Sequence, residues 1–437
     1  MFTTFKNAWK IPELRKKIMF TLIVIVAYRF GCTIPVPFLD PTKLKELMDT
    51  LNTEGSALGN INMLTGESFS KATIFALGIT PYINSSIIMN LLTVAIPPLE
   101  RLSKEGETGR KKITEITRYV TVGLGLMLSI AYYFFLKNSG IVNYQAGFSG
   151  VFAAIVIIFT FTAGTALIMW MGEQINEKGI GNGISVILFA GIVARLPVIV
   201  GNIIEHVRTG ASDPANSYMI PFSLFFIVLF LAIVWLIVFM NEAERRVPIQ
   251  YAKKVVGRKM YGGQSSFLPI KVAMSGVMPV IFAGSILSIP SIVKLFYNPA
   301  PGSFWAGVFN TLQSGGFTYC VLYFLLILMF AYFYMSIQYN PLEMANNLRQ
   351  NNGTIPGIRP GRPTAEFISK ILSKITLIGA LFLAFIAILP IVYGNISRLQ
   401  TLSFGGTSII ILVGVALETV KQLESQMMMR HYKGFLD

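Results

Sequence analysis

Two histidines, His206 and His431, are the whole imidazole complement of this 437-residue chain, and neither has a cysteine, histidine or carboxylate partner at ligand spacing. No metal site and no cofactor are expected. The aspartates Asp40, Asp49, Asp213 and Asp437 fall outside the apolar runs, and Glu173 and Glu418 fall near the ends of theirs. That removes intramembrane acid chemistry and most proton relays. The glycine-rich GIGNG at 179–183 has the look of a phosphate loop, but no Lys-Ser/Thr pair follows it and no strand precedes it. It reads as a tight turn into a helix. Cys32 and Cys320 sit in separate apolar runs and read as buried free thiols. Arg29 is the one charge deep in an apolar run; just before Gly31 and Pro35, it reads as snorkelling outward or as bonding freed carbonyls. An enzyme has no catalytic residues to work with here.

What could do work is polarity and backbone shape at bilayer depth. The stretch FALGITPYINSSIIMNLL, residues 75–92, is apolar enough for a membrane yet carries Gly78, Pro81, Asn84, Ser85 and Ser86 in its middle. Upstream, NINMLTGESFSKAT is broken by Gly66, Glu67 and Ser68, and 60–71 reads as a short amphipathic half-helix with few packing contacts.

The composition explains what must hold these pieces. The chain is 53% hydrophobic and 13% charged, with a mean hydropathy of +0.62, which is too apolar for a soluble protein of this length and defines a polytopic membrane protein. A crossing helix needs about 20 apolar residues. Ten spans are predicted, near 18–37, 72–97, 116–136, 151–171, 183–203, 219–240, 271–296, 315–338, 372–392 and 402–421. The first lacks a small-residue cleavage site and is expected to be retained. Net charge is +15, and the basic residues cluster in alternate connections: Lys6, Lys10, Arg15, Lys16 and Lys17, then Arg101 to Lys112, then Arg245 to Lys259, then Arg349, Arg359 and Arg362. The positive-inside rule therefore puts both termini in the cytoplasm. The two large basic connections, 241–270 and 339–371, are rich in Gly and Pro and read as structured loops.

An internal echo organises the spans. GITPYI at 78–83 and GVMPVI at 276–281 share Gly-x-x-Pro-x-Ile, in the second and seventh spans. Five spans per half is an odd number, so the halves insert with opposite polarity, as in inverted-repeat membrane proteins. The expected halves are 1–203, with spans one to five and the half-helix, and 204–437, with spans six to ten and both large loops.

The chain resembles the SecY family of protein-conducting channels, and the resemblance covers nearly its whole length. It is carried by RFGCTIPVP at 29–37, the 75–92 stretch, KEGETGRKK at 104–112, MWMGEQINEKGIGNGIS at 169–185, YAKKVVGRKMYGGQSSFLPIK at 251–271, IPGIRPG at 355–361 and FGGTS at 404–408. The resemblance implies an all-α fold of ten transmembrane helices in two inverted five-helix halves, forming a clamshell pore in the plasma membrane. It implies an apolar pore ring of Ile79, Ile83, Leu188, Ile281 and Ile411, sealed because bulky aliphatic side chains dewet a narrow passage. It implies a plug at Asn62, Met63, Leu64, Thr65, Gly66, Glu67 and Ser68. The lateral gate would involve Pro81, Asn84 and Ser85, and the docking surface Arg258, Lys259 and Arg359. Implied partners are SecE-like and SecG-like small subunits, a SecA-like motor ATPase, the translating ribosome, signal sequences and preproteins, and the lipid bilayer. Without the resemblance, each ring residue would read as ordinary packing. The competing reading is an inverted-repeat secondary transporter of a small solute, which needs a midplane substrate or ion site.

Overall fold

The computed structural model describes residues 2–40, 42–44, 46–47, 65–144, 147–212, 218–251, 254–256, 259–261, 265–273, 276–296, 303–312, 316–397 and 406–433. The first half holds α1 (Phe2–Lys10), α2 (Pro12–Gly31), α3 (Thr80–Ala95), α4 (Pro97–Lys104), α5 (Glu107–Asn138), α6 (Gly147–Lys178), α7 (Gly183–Val193) and α8 (Leu196–Ser212). The second holds α9 (Met219–Glu242), α10 (Met278–Phe296), α11 (Phe304–Thr311), α12 (Phe317–Gln338), α13 (Pro341–Gln350), α14 (Arg362–Ser397) and α15 (Gly406–Lys433). Among the described residues, seven helical stretches are long and apolar enough to cross a bilayer, or eight if α3 and α4 are one bent span. The first and seventh expected spans are the remaining two. Helix α2 opens on the charges Arg15, Lys16 and Lys17, and the apolar part of α10, Met278–Pro290, is short.

Three expected elements differ. The second span does not start at 72: residues 65–79 run as successive turns, and helix begins only at Thr80. Tertiary hydrogen bonds take the backbone there, since Ile74 N–H donates to Ile34 O (3.1 Å), Val36 N–H to Ala72 O (3.1 Å), and Tyr132 Oη to Phe69 O (2.7 Å). The expected half-helix is likewise a set of turns over 65–71, with Asn62, Met63 and Leu64 outside the described residues. Nor is this part loosely packed, because Thr65, Ser68 and Phe69 are all buried. The seventh span loses Lys271 to a β-strand that ends there, 272–273 and 276–277 are turns, and helix begins only at Met278. At its far end α3 stops at Ile96, held extended (φ −110°, ψ 110°) by the following Pro97, and the chain turns by 105° into α4.

The helix packing repeats itself. In the first half α2 packs on α6 and α7, α3 on α5 and α6, α5 on α6, and α6 on α7. In the second half α9 packs on α14 and α15, α10 on α12 and α14, α12 on α14, and α14 on α15. Advancing every helix of the first list by five spans generates the second. Between the halves, α7 meets α15, α10 meets α3 and α5, and α8 meets α9. Both large loops are structured: β1 (Glu244–Tyr251) pairs antiparallel with β4 (Ser265–Lys271) in the first loop and with β5 (Gly353–Thr354) in the second. A small hairpin of β2 (Lys254–Val256) and β3 (Lys259–Tyr261) extends from the first loop.

Candidate functional site

The Gly-x-x-Pro echo is a repeat of backbone geometry. Gly78 (φ +56°) and Gly276 (φ +57°) adopt the same left-handed conformation, which a side chain would strain. Gly78 N–H donates to Phe75 O (2.9 Å) and Gly276 N–H to Ala273 O (3.2 Å), each three residues back. Each helix then begins two residues on, with Pro81 and Pro279 at its second position, where no N–H is needed. The next bond repeats as well: Ile83 N–H to Ile79 O (3.0 Å) and Ile281 N–H to Val277 O (3.3 Å).

A second echo links α7 and α15, which open on GISVIL and GTSIII. A side chain at Gly183 would collide with the carbonyl of Gly172 on α6, and one at Gly406 would come within 2.5 Å of Ile386 O on α14. Both glycines thus let the helix start tight against its predecessor. Ile83, Leu188, Ile281 and Ile411 are each the fifth residue after one of these four glycines. They form two repeat-related pairs, Ile83 with Ile281 and Leu188 with Ile411. Ile79, Leu188 and Ile411 are buried in one apolar cluster spanning both halves, and half-buried Ile83 and Ile281 pack against it. Val277 is the repeat counterpart of Ile79, packs on the same cluster, and faces Gly414 of α15. The sequence reading missed it, although the echo named it.

The described part of the expected plug stretch lies between the charges of two helices. Gly66 (φ +62°) and Glu67 (φ +71°) are both left-handed, an arrangement that costs about 1–2 kcal/mol for the non-glycine. Glu67 is paired with Lys71 (3.3 Å) and lies 3.8 Å from Arg195 at the α7–α8 break. Arg29 does not snorkel: its Nη2 donates to Ala190 O (2.6 Å), which also accepts the Ala194 N–H (3.3 Å), and to Gly191 O (3.1 Å), both in the last turn of α7. A Cβ on Gly66 would sit 3.0 Å from that guanidinium and 2.9 Å from Gly191 O. Arg29 therefore fixes the helix that carries Leu188 and forms the floor under Gly66.

On α3, which meets α10, Pro81 is buried and Asn84 half-buried. Ser85 is fully buried, and its hydroxyl donates to Pro81 O (2.8 Å) of its own helix. The turn at 179–183 is confirmed in detail. Asn176 Oδ1 accepts Gly183 N–H (2.7 Å), and Asn182 Oδ1 accepts Ile184 and Ser185 N–H (3.2 and 3.4 Å). Those amides, which a phosphate would need, are already engaged. Cys32 is buried and Cys320 half-buried, and both are free.

On the loop face, Arg359 is exposed between Gly357 (φ +81°) and Gly361 (φ +103°), and its carbonyl accepts Thr364 Oγ1 (2.8 Å). Buried Ile355 anchors that turn in a small core with Val247, Ile270 and Ile368. Arg258 lies outside the described residues, and Lys259 opens β3.

The two-halved helical fold has close counterparts. It is similar to a structure described as a protein conducting channel, with a TM-score of 0.65 and 17% identity, covering 96% of each chain. It is also similar to a structure concerned with the plug domain of the SecY protein, at a TM-score of 0.63 and 16% identity over 94% of this chain and 92% of that one. A third, Sec61 in the canine ribosome-channel complex, matches at 0.61 and 15% identity over 94% and 92%. The fold is thus that of the membrane-embedded channel class. The SecY family model matches residues 73–420, and the chain is 43% identical over 445 residues to the protein translocase subunit SecY of Streptomyces scabiei, covering all of both. Against the Mycobacterium tuberculosis (strain H37Rv) subunit of that name it is 40% identical over 451 residues, again end to end. The chain belongs to the SecY family, and the solute-transporter reading falls away.

Proposed function

We propose that this chain is the pore-forming subunit of a protein translocation channel, passing unfolded secretory polypeptides across the membrane and releasing transmembrane segments sideways into lipid. The observation that carries this is that the two repeat-related pairs, Ile83 with Ile281 and Leu188 with Ile411, are drawn from four helices to one apolar cluster. Aliphatic side chains offer water and ions no hydrogen bonds, so such a ring seals by dewetting and still yields to a polypeptide. Ile79 and its counterpart Val277 complete the ring. The chain is a channel and not an enzyme, so a partner supplies the energy.

The halves are 1–203 and 204–437, with α8 running on through their junction to Ser212. The α8–α9 contact then acts as the hinge, and the α10 contacts with α3 and α5 form the lateral gate, with Pro81, Asn84 and Ser85 on its first-half side. Residues 62–68 are the plug, held shut by the Glu67 contacts. Arg359, with Arg258 and Lys259, docks a SecA-like motor or a ribosome; a structural neighbour is Sec61 in a ribosome-channel complex. SecE-like and SecG-like subunits complete the assembly in the plasma membrane, both termini being cytoplasmic. The test is reconstitution of the chain with a SecE-like subunit and a SecA-like ATPase in vesicles, reading ATP-dependent protection of a preprotein from added protease. Protection is expected; its absence with folded channel overturns the proposal.

A further inference from the structure

Two ion pairs of the first half differ in kind. Arg118 of α5 and Glu173 of α6 close to 2.7 Å, the length of a charge-assisted hydrogen bond between two packed helices. Arg195 and Glu67 stand 3.8 Å apart, although their side chains are only 20% and 24% exposed. Arg195 Nε is buried and has no hydrogen-bond partner among the described residues, so Coulomb attraction alone holds the carboxylate. The two residues also belong to different parts of the molecule. Arg195 is built into the wall: its N–H donates to Ile192 O (3.1 Å) and its carbonyl accepts the Ile199 N–H (3.1 Å), which ties it to α7 on one side and α8 on the other. Glu67 belongs to the plug stretch, is left-handed (φ +71°), and pairs through its other oxygen with Lys71 of the same stretch (3.3 Å). When that stretch moves, Glu67 keeps Lys71 and leaves Arg195 behind.

A largely buried guanidinium without a counter-charge is costly. Arg29, whose guanidinium lies 3.0 Å from where a side chain on Gly66 would begin, adds a second fixed cation beside the same stretch. Arg195 is seven residues beyond Leu188, about 10 Å further along the path at 1.5 Å per residue. Building on the plug and channel reading above, we infer that Arg195 is a carboxylate-binding site in the channel wall. Glu67 fills it at rest, and aspartate and glutamate side chains of the polypeptide in transit fill it once the plug has moved. The loose resting pair favours this exchange, since an incoming carboxylate that reaches the Nε–H makes a hydrogen bond that Glu67 does not. Lysine, amide and apolar side chains bring no negative charge and gain nothing there.

The test uses the full chain with a SecE-like subunit and a SecA-like ATPase in vesicles, and a preprotein arrested in mid-transit by a folded domain. The preprotein carries either an aspartate pair or an asparagine pair about 10 Å past the ring, and its backward release after ATP is removed is the readout. The aspartate preprotein is expected to release about fivefold more slowly, the upper end of what a partly exposed ion pair supplies. Arg195→Gln should erase that difference and Arg195→Lys retain part of it. Lys71→Gln, which removes a charge that leaves with the plug, should retain it whole, with thermal unfolding in detergent reporting that every variant is folded. Equal release of the two preproteins from the parent channel, a difference that survives Arg195→Gln, or one erased as fully by Lys71→Gln overturns the site. Failure of the plug reading shows separately, as a channel lacking 62–68 that stays sealed to ions at rest.

Discussion

Replacing Gly183 by alanine tests whether the α7 start is as tight as its geometry says. The new methyl group would overlap the Gly172 carbonyl and crowd Ile175 Cβ at 2.9 Å, and the first of these is backbone that cannot rotate away. Overpacking of this kind costs about 1–3 kcal/mol, against a gain of about 0.5–1 kcal/mol for removing a glycine from a helix. The net expected loss is about 1–2 kcal/mol. Gly201, on α8 with nothing within 4 Å of its would-be Cβ, supplies the control: Gly201→Ala should gain about 0.5–1 kcal/mol. Gly406→Ala should resemble Gly183→Ala, since its nearest neighbours are also backbone, at 2.5 Å and 2.7 Å. Unfolding of the full chain in detergent gives the stabilities, and ion leakage from vesicles shows whether the displaced α7 loosens the constriction at Leu188. If Gly183→Ala is as stable as Gly201→Ala and equally tight to ions, the close helix start is not what positions Leu188.

Serine at both Ile83 and Ile281 should make the resting channel conduct ions by wetting the constriction, while a serine pair at Leu231 and Trp235 of α9, both exposed, should not; equal conductance would remove the ring assignment. Arg29→Leu removes the charged donor from Gly191 O and from Ala190 O, which keeps the Ala194 N–H, and should cost about 1–3 kcal/mol, with Arg29→Lys losing about half of that in chemical denaturation. A loss in neither variant would mean that solvent or lipid satisfies Ala190 and Gly191. Arg359→Glu should abolish motor-driven transport and Arg359→Lys weaken it, with insertion and thermal stability unchanged, because the planar guanidinium fork is poorly replaced by an ammonium. Full transport by both variants would leave Arg359 only its part in setting topology.

Hydropathy and charge alternation made the ten helices legible, because a bilayer demands long apolar runs and biases lysine and arginine to one side. The Gly78 and Gly276 echo was legible too, since a left-handed residue before a proline-led helix leaves few side-chain choices. The turns at 65–79 were not. Their apolar residues carry a helical signal, and the long-range bonds to Ile34 and Tyr132 that override it connect segments far apart in the chain. Leu188 lies in the second turn of α7. Its equivalence to Ile411 rests on GISVIL and GTSIII, a match too short to stand out until both glycines prove to face a carbonyl of the preceding helix. Arg29 left two readings open because its acceptors, at 190 and 191, have no local mark in the sequence.

The central claim, that a polypeptide passes through the constriction formed by the two repeat-related pairs, is tested most directly by photocrosslinking. A photoreactive residue is placed in turn at Ile83, Leu188, Ile281 and Ile411, and at the exposed Trp235 as a control on the outer surface of α9, in channels holding a preprotein arrested in mid-transit. Crosslinks to the arrested chain from all four ring positions and none from Trp235 are the expected result. Crosslinks absent from either pair, or as strong from Trp235 as from the ring, would contradict the account.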